Sequence, residues 1–118
     1  MDTLIIGNQS DPEIRARVIR AWKTGKAESA ARLDFVNLDD AWKLLSDKRR
    51  QVMHAMAGAG PLSIREVARR VGRDVRAVHS DVHLLHYAGV IDKTENGCVI
   101  LPYKTIKFDF TLDAQKAA

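Results

Sequence analysis

The sequence predicts an α+β fold, because two hydrophobic periods occupy different parts of one short chain. Apolar residues recur mainly at helical spacing up to Gly89, and strict alternation takes over after it. Asn96-Gly97, a strong hairpin signal, lies within the alternating region. At 118 residues the chain suits one compact domain and is too short for two.

Residues 1–37 are predicted to form a strand–helix–strand unit that contributes to dimerisation. Its strands are 3–7 and 31–36. Between them, the Ser10–Glu13 capping box starts a helix that we expect to end at about Lys26. Three apolar residues at helical spacing are expected to form the buried stripe of this helix, and the last of them to contact a second subunit: Ile14, Val18 and Trp22.

Residues 38–102 are predicted to hold four helices followed by a hairpin. The helices begin after four capping residues: Asn37, Ser46, Ser63 and Asp74. The hairpin strands are 90–94 and 98–101. Three large side chains on the first two of these helices are expected in the core: Trp42, Met53 and Met56.

The C-terminal segment, 103–118, is predicted to add one strand and a frayed tail to the same compact domain. Residues 105–112 alternate between apolar and polar side chains, as in a half-buried strand. Strands 3–7, 31–36 and 104–112 all need pairing partners. We therefore expect one sheet that contains all three, completed by a second copy across a two-fold axis.

The segment from Ser63 to Val90 is typical of a helix-turn-helix. Ala68 is small enough for a second helix to approach closely, Gly72 suits the turn, and Val78 faces inward. Four residues are expected to fill the inner face of the second helix: Val75, Val78, Val82 and Leu85. With the hairpin that follows, the pattern predicts a winged helix-turn-helix.

The outer face of that second helix is the predicted DNA-reading surface. Arg76, His79, Ser80 and His83 recur at helical spacing away from the core, and arginine can grip guanine or phosphate. Asp81, on the flank, is expected to pair with a nearby arginine. The complete predicted DNA-binding set is Lys48, Arg49, Arg50, Ser63, Arg65, Arg73, Arg76, Ala77, His79, Ser80, His83 and Lys93.

Charge supports this interpretation. Between Lys48 and Arg76 we count eight basic residues against Glu66 and Asp74, although the net charge of the whole chain is only +4. A basic stretch of this kind suits a surface that meets phosphates. Lys48-Arg49-Arg50 lies at the start of a helix and therefore opposes its dipole, which is unfavourable unless an anion approaches. We interpret these residues as a flanking phosphate contact, and three merely solvated basic side chains are an equal alternative.

Residues from about Trp42 to Leu112 resemble short prokaryotic winged-helix transcriptional regulators of the MarR and ArsR type, and antitoxin-like putative regulators. Three phrases carry the resemblance: residues 60–66 (GPLSIRE), 72–75 (GRDV) and 86–91 (HYAGVI). It implies a homodimer on a palindromic operator of double-stranded DNA, repression of the protein's own operon, and a cognate toxin as a further partner.

Other classes of function find less support. Neither a phosphate loop, a nucleophile elbow nor a zinc-protease motif is present, so we expect no enzyme, no catalytic residue and no cofactor. No long apolar run or secretory leader is apparent, and Cys98 lacks a disulfide partner, so we expect a cytoplasmic protein without membrane contact. Cys98 itself is expected to be buried and inert.

Two alternatives stay open. One is a winged helix that serves only as a protein-interaction module, docking through its terminal strands. The other is a metal-responsive repressor, because His79, His83 and His86 lie close together on one helix with Cys98 nearby in sequence. A metal there would occupy the surface assigned to DNA, and the predicted site therefore contains none.

Overall fold

The computed structural model describes residues 2–25 and 30–115 and confirms a mixed α+β architecture. The helices are α1 (Asp11–Thr24), α2 (Leu38–Leu44), α3 (Asp47–Met56), α4 (Ile64–Val71) and α5 (Val75–Tyr87). The strands are β1 (Thr3–Gly7), β2 (Ala31–Asp34), β3 (Asp92–Lys93), β4 (Val99–Ile100) and β5 (Thr105–Asp109). None of the described helices is both long and apolar enough to cross a bilayer.

The three strands from the two ends of the chain form one parallel sheet in the order β2-β1-β5. The prediction that they share a sheet is therefore confirmed. Leu4 lies opposite Ala31 and Ile106, and Ile6 lies opposite Leu33 and Phe108. Because strand side chains alternate between faces, these apolar residues share the inner face of the sheet.

The inner face of the sheet and α3, α4 and α5 enclose a single core. Leu4 and Ile6 of β1 belong to the same buried cluster as the helical residues. Its largest fully buried side chains are Ile6, Val52, Met56, Val67, Val78, Val82, Leu85, Val90, Ile91 and Val99. Met53 is buried as well, so both methionines lie in the core as predicted.

The predicted buried stripe of α1 is wrong. Val18 is 59% exposed and Trp22 is 85% exposed, and α1 contains no buried residue. The half-buried positions are Ile14, Arg17 and Ala21, which share a different face. Arg17 pairs with Asp34 on the polar outer face of the sheet at 3.4 Å. The helix therefore meets a charged surface with an arginine, and Val18 and Trp22 of the predicted stripe stay in solvent.

The ion pairs under α1 show how this polar face is held. Arg32 donates two hydrogen bonds to Asp34, at 3.0 and 3.1 Å, beside the Arg17 contact. Partial burial by itself would raise the pKa of Asp34, but the hydrogen bonds and charges of Arg32 and Arg17 lower it overall. Asp34 is thus a carboxylate that ties β2 to α1.

Other predictions of boundaries and burial need smaller corrections. Helix α1 ends at Thr24, with Gly25 in the left-handed conformation; the predicted end at Lys26 lies outside the described residues, as do residues 116–118 of the predicted tail. Trp42 is 53% exposed and does not enter the core. Its ring instead contacts that of Phe110 in a T-shaped arrangement, with the ring centroids 4.9 Å apart. β5 ends at Asp109, and Leu112 is 80% exposed.

The predicted hairpin follows α5 directly. β3 and β4 pair antiparallel, and the turn between them uses Gly97 at φ 78°, a conformation that suits glycine. Leu62, just before α4, exchanges two backbone hydrogen bonds with Val99, both 2.8 Å long. The hairpin is thereby fixed to the start of α4, beside the helices that carry the predicted interface.

Candidate nucleic-acid interface

The pair α4–α5 is built around a tight turn at Gly72. Gly72 has φ 68°, and the backbone N–H of Arg73 donates to the Ala68 carbonyl at 3.1 Å, which closes the end of α4. Asp74 caps α5 by accepting from the backbone N–H of Arg76. Ala68 and Val78 are both buried, so the two helices approach closely, as the sequence predicted.

The outer face of α5 is open to solvent. Arg76, His79, Ser80 and His83 are all exposed, and no side-chain hydrogen bond or ion pair holds any of them within residues 2–25 and 30–115. Ala77 between them is half-buried. Tyr87 continues the same helical stripe and is 87% exposed. The sequence analysis missed Tyr87, although its spacing of eleven residues from Arg76 indicates this face.

The inner face of α5 agrees with the sequence at three positions out of four. Val78, Val82 and Leu85 are buried, whereas Val75 is 43% exposed. Val75 is the first residue of α5, directly after the turn. The prediction that Val75 fills the core is therefore wrong.

Asp81 occupies the remaining inward position and is 8% exposed. Arg73 Nη1 donates to its Oδ2 at 2.8 Å, and Arg49 Nε lies 3.2 Å from its Oδ1 without the alignment of a hydrogen bond. The predicted pairing of Asp81 with an arginine is confirmed, and it involves two arginines. One carboxylate thus joins α3, the turn and α5.

This ion-paired cluster changes the role assigned to Arg73 and Arg49. Their side chains are only 18% and 20% exposed, and both are directed to Asp81. Arg73 therefore does not project with Arg76 from the start of α5, contrary to the sequence prediction. The sequence contained the clue: Asp81 falls at inward spacing with Val78 and Leu85, and a buried carboxylate requires a cationic partner.

The three basic residues in the first turn of α3 have different surroundings. Lys48 is exposed. Arg49 donates to the Lys43 carbonyl at 2.7 Å, and Arg50 donates to the Leu45 carbonyl at 3.1 Å. These carbonyls lie at the C-terminal end of α2, where cations satisfy free acceptors and the helix dipole favours them. The expected unfavourable interaction of these arginines with the dipole of α3 is thus offset within the protein, without any phosphate.

The start of α4 offers fewer free cations than its sequence suggests. Ser63 caps the helix by accepting from the Glu66 N–H at 3.1 Å, and Arg65 is exposed. Glu66 accepts hydrogen bonds from Arg69 and Arg70, which lower its pKa to about 2. At any pH near neutrality Glu66 is therefore ionised and offsets part of the charge of two arginines.

Four cations of the predicted site remain exposed without an ion-pair partner in the part of the chain that the structure describes. They lie on α3, α4, α5 and the hairpin: Lys48, Arg65, Arg76 and Lys93. Lys93 ends β3 at the base of the Asn96-Gly97 turn. Each of these side chains is available to an anionic partner.

The histidines do not form a metal site in the described residues, where no group of three or more potential ligands comes together. His79 and His83 are exposed on α5, and His86 is half-buried. Cys98 is half-buried, which corrects the expectation of full burial, because it lies just outside the short paired part of the hairpin.

A protein-family model named HVO_A0114 matches residues 44–108, which is more than half of the chain. The chain belongs to the HVO_A0114 family. No curated protein and no solved structure matches it. In this HVO_A0114 protein the matched segment contains α3, α4, α5, the hairpin and most of β5, whereas β1, α1 and β2 lie outside it. The family's characteristic part thus includes all the described contacts of Asp81 and the outer face of α5.

Proposed function

We propose that this HVO_A0114 protein is a sequence-specific, DNA-binding transcriptional regulator of the winged helix-turn-helix type. In this proposal α5 enters the major groove of a palindromic operator, the β3–β4 hairpin is the wing, and two copies bind together. Helices α4 and α5, the glycine turn and the adjoining hairpin supply the parts that such a domain requires.

The observation that carries the proposal is the division of α5 into two unlike faces. Val78, Val82 and Leu85 anchor the helix in the core. Arg76, His79, Ser80 and His83 project into solvent with donors and acceptors that no neighbour within residues 2–25 and 30–115 uses. Side chains of these types, set on a rigid helix of 13 residues, suit the hydrogen-bonding edges of bases and the phosphates beside them.

The wing assignment has its own support. The hairpin begins a few residues after α5, and its pairing with Leu62 holds it beside the start of α4. Lys93 is exposed there and carries a positive charge toward solvent. A lysine in this position suits backbone phosphate, which positions a protein on the duplex without specifying sequence.

One finding favours the rival, a winged helix that binds only proteins. Arg49 and Arg73 are held by Asp81, so the surface is less basic than the sequence alone suggests. Binding to duplex DNA separates the two proposals. A phosphate-binding surface loses affinity steeply as salt rises, whereas a chain with no DNA surface gives no shift with a random duplex at low salt.

Replacement of Arg76 tests the recognition face directly. An operator is first selected from random duplexes with the wild-type protein. We expect Arg76→Ala to weaken operator binding by about 1 to 3 kcal/mol, or roughly 5- to 150-fold, as for loss of one arginine contact to DNA. Fluorescence anisotropy measures the change.

Arg20→Ala is the matched control, since Arg20 is an exposed arginine on α1 and its removal alters net charge equally. Equal affinities for both variants would refute α5 as the reading helix. Failure of the wild-type protein to bind any duplex would support the interaction module. Autorepression and a toxin partner, which the family resemblance implies, stay predictions of that resemblance alone.

A further inference from the structure

Strand β5 has an open edge. In the sheet order β2-β1-β5 it is terminal, and among the described residues no strand pairs with its outer side. Exposed edges of this kind readily accept another strand. Two large apolar side chains are exposed in or just beyond this strand: Phe108 is 48% exposed and Leu112 is 80% exposed.

The backbone shows which groups face outward. Thr105 donates to the Asp2 carbonyl, and Thr111 exchanges two hydrogen bonds with the Asn8 side chain, so both residues point toward β1. Successive residues of a strand direct their N–H and C=O groups to opposite sides. Ile106, Phe108 and Phe110 therefore present their backbone groups to the open edge.

This alternation of outward-facing and inward-facing backbone groups restricts the registers in which a second β5 can pair antiparallel with the first. Outward-pointing residues must oppose outward-pointing residues, so the two-fold axis passes through a residue and not between two. An axis at Lys107 would place lysine opposite lysine, and an axis at Asp109 would place aspartate opposite aspartate. Axes at Ile106 and Phe110 avoid these like-charge pairs as well, but they oppose only three residues of segment 105–111 to each other. The axis at Phe108 avoids both like-charge pairs and opposes all seven residues.

With the axis at Phe108, the segment TIKFDFT (105–111) is complementary to itself. Lys107 of each copy then faces Asp109 of the other copy. Both of these are non-hydrogen-bonded pairs, in which the side chains of antiparallel strands approach most closely. Phe108 faces its own copy, and Ile106 faces Phe110. Charged pairs thus lie on the polar outer face of the sheet, and apolar pairs lie on the inner face.

The inner face next to this edge has room for added side chains. A half-open trough of about 190 Å³ lies between α3 and β5, and its lining includes Met53, Ala57, Ile106 and Phe108. A strand added about 4.8 Å from β5 would direct alternate side chains to the inner face, over this trough. Aromatic side chains of a second copy would remove this apolar lining from water.

We propose that two copies of this chain associate by antiparallel β5–β5 pairing about Phe108, which joins their sheets into one of six strands. This deepens the homodimer of the proposed function by naming its surface and register. The proposed dimer does not depend on DNA binding, because the test below measures the mass of the protein in solution. If duplex binding fails but the test succeeds, only the regulatory role is refuted.

Charge reversal tests the register. We expect the wild-type protein to have twice the chain mass of 13.2 kDa by light scattering at micromolar concentration. With Lys107→Asp, both charged pairs of the interface become aspartate opposite aspartate. With Asp109→Lys, both become lysine opposite lysine. Each single variant should be monomeric. The double variant, Lys107→Asp with Asp109→Lys, should recover the dimer.

Mixing the two single variants should also produce a dimer of one copy of each, since every opposing pair is then of unlike charge. Circular dichroism checks that each variant is folded. Lys23→Asp on α1 is the control and should stay dimeric. Four results would each overturn the proposal: a monomeric wild type, dimers of both single variants, loss of the dimer in the control alone, or failure of both the double variant and the mixture to form a dimer.

Discussion

Asp81 shows how a single buried charge can decide which cations the proposed DNA-binding surface has available. The carboxylate is held by Arg73 and approached by Arg49, and all three side chains are largely shielded from water. A carboxylate so placed favours its arginines over any outside anion, because removing one partner leaves the other charges uncompensated. Arg76, two residues into α5, has no such partner among the described residues and is left to act outward.

Removal of Asp81 should therefore affect stability before it affects recognition. We expect Asp81→Ala to lower the free energy of unfolding by about 2 to 4 kcal/mol, because two poorly solvated arginines lose their counter-charge. Arg73→Ala should cost less, about 1.5 to 3 kcal/mol, since Asp81 keeps Arg49. Urea denaturation measures both. If Arg73→Ala leaves stability unchanged but abolishes operator binding, the sequence-based role of Arg73 is correct after all.

At the scale of the element, caps and breakers located the helices well, because each depends on local chemistry. Ser46, Ser63 and Asp74 all cap the helices predicted to follow them. Burial was harder to predict, as α1 shows. Its apolar stripe is an obvious pattern. The helix instead pairs through Arg17 with Asp34, which Arg32 also binds, and only the fold brings Asp34 close to α1.

The turn between α4 and α5 permits a local test. Gly72 has φ 68°, and a Cβ added there would meet nothing within 4 Å, so the cost of a side chain is conformational and not steric crowding. We expect Gly72→Ala to destabilise the protein by about 1 to 2 kcal/mol through the left-handed backbone. Gly58→Ala, at φ 69° with the same open space, is a matched control outside the helix pair.

Thermal or chemical denaturation should show similar losses for the two glycine variants. Only Gly72→Ala should also weaken operator binding, because the turn sets how α5 is presented. Equal operator affinities for the two variants would contradict the role assigned to the turn.

The whole molecule is less compact than its length suggests. The Cα radius of gyration is 16.2 Å, against about 13 Å expected for a compact domain of this size. The molecule is also flat, with extents of 44 × 39 × 18 Å. Such a shape leaves Trp22, Phe108 and Leu112 exposed, and it suits a subunit that a second copy completes. The sequence predicted the shared sheet, but not the strand order that places β5 at an edge.

The salt dependence of duplex binding reports the number of cations that meet phosphate across the whole surface. Four unpartnered cations per chain predict a slope of log K against log salt of about −3.6 for one chain, or about −7 for a dimer. Participation of Arg49 and Arg73 would raise the magnitude by half. A slope near zero would exclude a phosphate-binding surface.

The central claim is that the outer face of α5 meets the duplex, and the four histidines provide built-in probes of it. NMR of the imidazole resonances during titration with the selected operator should show His79 and His83, both on that face, shifting or broadening. His54, exposed on α3, should stay nearly unchanged. Movement of His54 while His79 and His83 keep their free positions would contradict the account.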